Sequence, residues 1–139
     1  MWILFAFGSA LFAGLTSVLA KCGIKKTDSD AATAIRTIVV LIFSWLMVWI
    51  VGSAPTITGL SAKTWIFLIL SGIATGASWL CYYHAIAHGM VSVVVPIDKL
   101  SIVVTVAFSY LVFREKLSKK AFLGLLLMIA GTLLMAFFK

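Results

Sequence analysis

Five long apolar stretches, separated by short polar segments, dominate the pattern of this sequence. Each stretch is close to the ~20 apolar residues that an α-helix needs to cross a bilayer. The apolar residues run continuously and do not alternate with polar ones, which favours helices over the strands of a membrane β-barrel. The sequence therefore predicts an all-α integral membrane protein with five transmembrane helices. Their predicted bounds are 2–20, 31–51, 62–83, 90–113 and 121–138.

Polar and helix-breaking residues mark the ends of these helices. Residues 21–30 combine charge, a glycine and residue types that cap helices. Pro55 lies in the second break, residues 84–89 form a short third connection, and residues 114–120 form the fourth. The first apolar stretch has no basic residues before it, so we interpret it as a retained span and not as a cleaved signal peptide. We expect residues 1–139 to form a single five-helix membrane domain.

Composition supports this interpretation and narrows the range of functions. Of the 139 residues, 63% are hydrophobic and 11% are charged, whereas soluble domains have about 25% charged residues. The formal net charge of +7 does not indicate a nucleic-acid partner, because the basic residues are scattered beside apolar stretches and form no contiguous face for phosphates. We exclude a soluble enzyme and a nucleic-acid-binding domain, and we expect a multi-pass protein of the cell (inner) membrane.

The basic residues are nearly balanced between the two sides of the membrane. Those on the N-terminal side are Lys63, Arg114, Lys116, Lys119 and Lys120. Those on the opposite side are Lys21, Lys25, Lys26 and Lys139, with Arg36 added if its side chain extends outward. An excess of Lys and Arg on one side normally sets orientation. Either a weaker feature sets it here, or the chain inserts both ways (dual topology), which would allow an antiparallel homodimer resembling a transporter built from inverted repeats.

Arg36, Asp98 and Lys99 are charged residues well inside predicted helices. Such residues are costly in a membrane span and are therefore candidates for function. Arg36 and Asp98 lie at similar depths from the same side, roughly 9–12 Å at 1.5 Å per residue, so an ion pair or a shared polar patch is expected. Lys99 is turned by about 100° from Asp98, so we expect it to point elsewhere. One alternative is structural: Arg36 and Lys99 extend to lipid phosphates, and Asp98 pairs with Lys99 or caps the backbone. The other is contact with a substrate or proton, and both stay open.

Pro96 lies two residues before Asp98 in the fourth predicted helix. Inside a span, proline frees a backbone carbonyl and bends the helix, which would make Pro96 a hinge beside a charged residue. In the first turn of a helix, by contrast, proline costs little. The sequence does not decide between these two alternatives.

Aromatic residues cluster near the end of the third predicted helix. Side chains at this level commonly form the belt at the membrane–water interface, and this interpretation suits Tyr82 and Tyr83. Trp79 lies deeper and is the better candidate for the wall of a cavity that takes an apolar or cationic ligand. The candidate substrate-binding or coupling residues are therefore Arg36, Trp79, Tyr82, Asp98 and Lys99.

Residue types that bind metals or perform catalysis are sparse. His84 and His88 lie four residues apart with no third ligand nearby, so we interpret them as interfacial and expect no metal. Cys22 and Cys81 are far apart, and Cys81 is interpreted as a small packed hydrophobic residue. The chain has one Glu and three Asp and lacks a nucleophile motif or a phosphate-binding glycine loop. We expect neither an enzyme nor a cofactor.

Glycine spacing indicates two surfaces for helix contacts. Gly72 and Gly76 form a GxxxG pattern, which allows two helix backbones to approach closely. Gly124 and Gly131 are seven residues apart and lie on nearly one face of the last helix. We interpret both pairs as helix-packing positions, and the second pair as a candidate contact between subunits.

Several of these segments match one family. They are residues 78–85 (SWLCYYHA), 95–101 (VPIDKLS), 114–118 (REKLS), 124–131 (GLLLMIAG), 20–24 (AKCGI) and 34–37 (AIRT). Together they closely resemble the EamA-type five-span proteins of the drug/metabolite transporter superfamily, and the resemblance covers nearly the whole chain. The VPIDKLS and EKLS segments are the specific part of this resemblance, whereas the glycine patterns are common in membrane spans.

The resemblance implies an architecture, and the sequence departs from one group of relatives at a functional residue. Larger relatives have ten spans in two inverted five-span halves around a cavity, so this chain would be one half. The Gly124 and Gly131 pair also resembles the dimer helix of the small multidrug resistance proteins, which are four-span antiparallel dimers. Those proteins couple protons through a deep acidic residue in the first helix, which residues 2–20 lack. If protons couple here, Asp98 is the deep carboxylate, while Glu115 at a helix end is interpreted as structural.

These observations favour a secondary, alternating-access transporter for a small metabolite or drug-like solute, working as an antiparallel or otherwise paired dimer. Arg36 or Lys99 would hold an anionic group and Asp98 an amine or a proton, which suits a zwitterionic metabolite. The alternative is a non-transporting membrane subunit that assembles with another complex, such as a lipid-carrier flippase partner. A channel is a weaker option, because the sequence has no ring of like charges or filter-type segment.

Overall fold

A computed structural model describes residues 1–114 and 116–138 of the chain. Glu115 and Lys139, which entered the motif and the charge count above, lie outside the described residues. Within the described ranges, five helical segments are long and apolar enough to cross a membrane. The helices are α1 (Trp2–Ile24), α2 (Ser29–Val51), α3 (Ala62–His88), α4 (Val91–Asp98), α5 (Ser101–Phe108) and α6 (Lys119–Phe137), with a short 3₁₀ helix at Ala54–Gly59. The expected all-α class with five candidate spans is confirmed.

The chain forms two compact units, residues 1–88 and the residues from 89 onward. In the first unit, α3 contacts both α1 and α2, and α1 also contacts α2. In the second unit, α4 contacts α6, and α5 continues into a π-helical turn at Ser109–Phe113. The expectation of a single five-helix domain stays a prediction.

Two helices extend beyond their predicted ends. Helix α1 continues to Ile24 instead of ending at residue 20, and α3 continues to His88 instead of ending at residue 83. The ammonium group of Lys21 donates hydrogen bonds to the carbonyls of Ile86 and Ala87, at 2.5 and 3.3 Å. These carbonyls lie in the last turn of α3, where no intrahelical partner is available. A lysine from α1 therefore stabilises the polar end of α3.

Helix α2 has well-defined caps at both ends. At its start, the Asp28 carboxylate accepts a hydrogen bond from the backbone N–H of Asp30 at 3.2 Å. At its end, Gly52 has a φ of 74°, and the N–H of Ser53 donates to the carbonyl of Val48 at 3.0 Å. This six-to-one hydrogen bond around a left-handed residue is the Schellman motif.

We expect Gly52→Ala to lower the free energy of unfolding by about 1 kcal/mol, because a Cβ is strained in the left-handed region. Gly59→Ala is the control, since open space surrounds Gly59 and its φ is not positive. Thermal unfolding of the detergent-solubilised chain measures both variants. Equal melting temperatures for the two variants would show that alanine adopts the left-handed conformation at position 52 without loss of stability.

The fourth span is interrupted two residues after its proline. Pro96 is the sixth residue of α4, so it lies beyond the first turn and has no N–H to donate to the carbonyl four residues earlier. Helix α4 ends at Asp98, and short-range bonds follow: the N–H groups of Leu100 and Ile102 donate to carbonyls three residues earlier, at 3.0 and 3.1 Å. A 3₁₀-type stretch inside a longer helix often marks a hinge. The hinge role of Pro96 stays a prediction.

Most large apolar side chains are exposed on the isolated chain. Among the described residues, the buried hydrophobic ones are Ile24, Tyr83 and Ile86. Such a surface is unstable in water but suits contact with lipid tails, which are as apolar as the side chains themselves.

The glycine surfaces are open as well. Within the described residues, no neighbouring atom lies within 4 Å of the position that a Cβ would occupy at Gly72, Gly76, Gly124 or Gly131. These glycines therefore make no close helix contact within the described chain. Their proposed use between subunits stays a prediction.

Candidate functional site

Arg36 lies against two aromatic rings of α3. Its guanidinium carbon is 3.7 Å from the centroid of the Trp79 ring and 5.5 Å from the centroid of the Tyr83 ring. Trp79 and Tyr83 are four residues apart on α3, so both rings lie on one face of that helix. Arg36 is the eighth residue of α2, which packs against α3. The side chain is therefore held between two helices and does not extend outward.

The charge of Arg36 has no carboxylate partner in the described part of the chain. The ion pair found there joins Lys99 and Asp98. A planar guanidinium stacks well on aromatic faces and keeps its N–H donors at the ring's edge. Arg36 therefore presents a fixed cation whose donors suit an anionic group with two oxygens.

A cavity of about 400 Å³ opens beside Arg36 and Tyr83. Its other lining residues are Thr16, Leu19, Ala20, Gly23, Thr27, Ala32 and Ile35. Ligand cavities are commonly about 300–1,000 Å³, with apolar walls and few polar groups. This cavity fits that description, with Arg36 as its cation and two threonines as neutral polar groups.

Ser17 holds the neighbouring tyrosine in place, and sequence reasoning missed this contact. The hydroxyls of Ser17 and Tyr82 share a 2.6 Å hydrogen bond, and Ser17 also donates to the carbonyl of Ala13 at 2.9 Å. Tyr82 in turn meets Tyr83 edge-on, with ring centroids 6.2 Å apart. Tyr83 is 2% exposed, so the interfacial-belt interpretation is wrong for this residue. Burial between helices explains its place beside Arg36.

Asp98 and Lys99 form a contact of their own in the second unit. The Lys99 ammonium lies 3.6 Å from an Asp98 carboxylate oxygen, although both side chains remain substantially exposed. The expectation that Lys99 points away from Asp98 is therefore wrong, and the structural alternative, in which Asp98 pairs with Lys99, is observed. Helix α4 ends at Asp98, and the flexible side chain of Lys99, the next residue, bends back toward the carboxylate. The shared polar patch of Arg36 and Asp98 stays a prediction.

The histidines and cysteines form no metal site in the part of the chain described. The rings of His84 and His88 lie with their centroids 4.5 Å apart and their planes tilted by 40°, but no group of three metal-ligating side chains is present among the described residues. Cys22 and Cys81 are free and exposed on the chain. The interpretation of Cys81 as a packed residue is therefore wrong, because its face of α3 has no neighbour within the described structure.

Five helices that are long and apolar enough to cross a bilayer, among the described residues, define a multi-pass membrane protein. Residues 1–137 match the EamA-like transporter family, and the chain belongs to that family. It is a membrane transporter of the drug/metabolite kind. It lies in a lipid bilayer and acts on a small-molecule substrate.

Two relatives extend this finding. The chain is 44% identical over 137 residues to a Sinorhizobium sp. protein described as an uncharacterized transporter in the cobO 3' region, and the match covers 99% of this chain and 97% of that protein. It is 29% identical over 104 residues to an uncharacterized protein of Methanocaldococcus jannaschii, covering 68% of this chain and 76% of that protein. No solved structure matches the chain significantly.

Proposed function

We propose that this chain is one half of a secondary transporter for a small zwitterionic or anionic solute, with two copies forming the working unit. The single observation that supports this proposal most is Arg36, which lies 3.7 Å from the Trp79 ring centroid and lines a cavity of about 400 Å³. The described chain provides no carboxylate for this arginine. A solute carboxylate or phosphate would complete its hydrogen bonds.

The aromatic rings have a defined part in this proposal. Trp79 and Tyr83 fix the guanidinium plane, so a bidentate anion meets donors that are already oriented. Tyr82, whose hydroxyl bonds Ser17 at 2.6 Å, meets the Tyr83 ring edge-on and supports its position. Because these side chains are already ordered, solute binding loses less free energy in fixing them, and the affinity is higher.

The interrupted fourth span carries a second candidate residue for solute contact. Asp98 is the carboxylate that would hold a substrate amine or a proton, and its 3.6 Å partner Lys99 balances its charge when the site is empty. Pro96 lies two residues before Asp98, where α4 ends. A hinge at this position would couple occupancy of Asp98 to rocking of one half against the other.

Two copies are proposed because transporters built from inverted repeats enclose their transport pathway between two halves, and the described chain has the five candidate spans of one half. An antiparallel homodimer in the inner cell membrane would reproduce the inverted-repeat arrangement of transporters around a midplane site. The open glycine surface at Gly124 and Gly131 on α6 would provide close contact between the copies. We propose no cofactor and no enzymatic activity.

The test is flux through the purified chain. Proteoliposomes would be screened by solid-supported membrane electrophysiology and by labelled-solute counterflow, with three classes of solute: amino acids, small carboxylates and quaternary ammonium ions. We expect flux of a carboxylate-bearing solute that saturates with concentration. Absence of flux for every class, together with a stable heteromeric partner on purification, would favour the alternative of a non-transporting membrane subunit.

Asp98→Asn is expected to change the preferred class of solute. It removes the charge that would hold an amine, so zwitterion flux should fall about 10-fold or more, the equivalent of a lost charge-assisted hydrogen bond of about 1.5–3 kcal/mol. Flux of simple carboxylates should fall less. Asp30→Asn is the matched control, since Asp30 lies at the start of α2. An equal loss for both solute classes would assign Asp98 a structural role or a role in proton coupling.

A further inference from the structure

A second cavity adjoins the proposed transport cavity, with Thr27 lining both, at the place where the ends of three helical segments meet. It has a volume of about 540 Å³ and is lined by the end of α1, the turn into α2 and the last turn of α3. Its charged and titratable lining residues are Lys21, Lys25, Asp28, His84 and His88. The proposed function does not use any of these five side chains.

The balance of charge in this cavity favours an anion. Lys21 and Lys25 contribute two positive charges, and Asp28 contributes one negative charge. The Asp28 carboxylate already accepts the N–H of Asp30 as the cap of α2. Lys21 donates to the carbonyls at the end of α3, which offsets the negative end of that helix dipole. The start of α2 adds the positive end of a 23-residue helix.

His84 adds a hydrogen-bond donor on the α3 side of the cavity. The Nδ1 of His88 bonds the carbonyl of His84 at 3.0 Å, and since a carbonyl only accepts, His88 donates and its ring is held in place. The His84 ring lies beside it, with 4.5 Å between centroids and the ring planes tilted by 40°, and provides an N–H in either tautomer. Lysine, imidazole and helix N-terminus therefore converge on one space from three segments.

The position of the cavity along the helices indicates which anion would meet it. Its lining residues lie at the ends of α1 and α3 and at the start of α2, where apolar spans reach the headgroup layer of a bilayer. Phosphate is the anion of that layer, and basic pockets between membrane helices bind phosphate headgroups. We propose that this cavity binds a phosphate group, offered either by an anionic phospholipid or by a soluble phosphate ester.

Lys25 and Lys26 make a matched pair for the test. They are adjacent and equally charged, but Lys25 lines the cavity and Lys26 does not. Binding of phosphatidylglycerol and of phosphatidylcholine to the detergent-solubilised chain would be measured by native mass spectrometry. We expect Lys25→Gln to weaken phosphatidylglycerol binding about fivefold, the equivalent of about 1 kcal/mol for one basic residue near an anionic surface. Lys26→Gln should change it less than twofold.

A soluble arm distinguishes the two sources of phosphate. Glycerol 3-phosphate would be titrated against the chain in phosphatidylcholine nanodiscs, with melting temperature as the readout. Binding of phosphatidylglycerol alone would identify a lipid headgroup as the source of the phosphate in the cavity. Binding of glycerol 3-phosphate alone would identify a soluble phosphate ester as that source. Equal losses in Lys25→Gln and Lys26→Gln, or no loss in either, would overturn the proposal. His84→Ala removes the imidazole donor and should show a loss similar to Lys25→Gln, and unchanged binding there would also contradict the proposal.

This site is separable from the transport site. Arg36→Ala leaves every residue that lines the second cavity in place, so phosphatidylglycerol binding should be unaffected. Failure of the phosphate test with intact solute flux would remove this inference and leave the proposed transport function standing.

Discussion

Replacing Arg36 with alanine is expected to reduce solute flux by about 10- to 100-fold without reducing the amount of inserted protein. The lost interaction is a charge-assisted hydrogen bond to the solute anion, of about 1.5–3 kcal/mol. Arg36 makes no ion pair with any described residue, so its removal leaves no unpaired carboxylate among them. The main expected effect therefore falls on the solute and not on the fold. Initial flux rates in proteoliposomes, at matched protein density, measure it.

Conservative variants separate the charge of Arg36 from its geometry. Arg36→Lys keeps the positive charge but loses the planar fork that stacks at 3.7 Å on Trp79. We expect an intermediate loss that appears mainly as weaker solute binding. Trp79→Leu removes the ring and keeps the arginine, and a cation–π contact of about 0.5–2 kcal/mol predicts a loss of about 2- to 30-fold.

Lys63→Ala is the control for these variants. Lys63 lies near the start of α3 and outside the cavity beside Arg36, so its flux should match the unmodified chain. Wild-type flux in Arg36→Ala would contradict the assignment of Arg36 to the solute. It would leave Arg36 as a residue that anchors α2 to α3 through the rings of Trp79 and Tyr83.

The helices themselves were predictable, because hydropathy along one chain determines which segments enter a bilayer. Their ends were less predictable. Residues 21–24 and 84–88 look like polar connections in sequence, yet they are helical. The hydrogen bonds from Lys21 to the carbonyls of Ile86 and Ala87 join residues 65 or more positions apart. No local pattern contains that information.

The candidate site was predictable by residue type but not by contact. Arg36 and Trp79 were singled out because a charge and a deep aromatic ring are costly or unusual in their positions. Their stacking depends on how α2 packs against α3. Ser17 gave no usable signal, since a serine in an apolar helix commonly bonds its own backbone. Ser17 does this with Ala13 and also bonds Tyr82.

Forcing every copy into one orientation is expected to abolish flux if the working unit is an antiparallel homodimer. The basic residues of the sequence are nearly balanced, and Arg36 lies against Trp79 and does not extend outward. Two added lysines on one side should therefore decide orientation. Thr56→Lys with Thr58→Lys biases one side, and Cys22→Lys with Met90→Lys biases the other. All four positions are exposed, so each substitution is tolerable for the fold.

Each biased variant alone should give background flux, because no oppositely oriented copy is present. Co-expression of the two biased variants should restore flux, because antiparallel pairs can form again. Orientation itself would be read by labelling single cysteines in residues 53–63 and 24–29 from outside intact cells, in a background lacking Cys22 and Cys81. Full flux from one singly oriented variant would exclude the antiparallel homodimer. The open glycine surface of α6 would then be assigned to a parallel dimer or to a second, different chain.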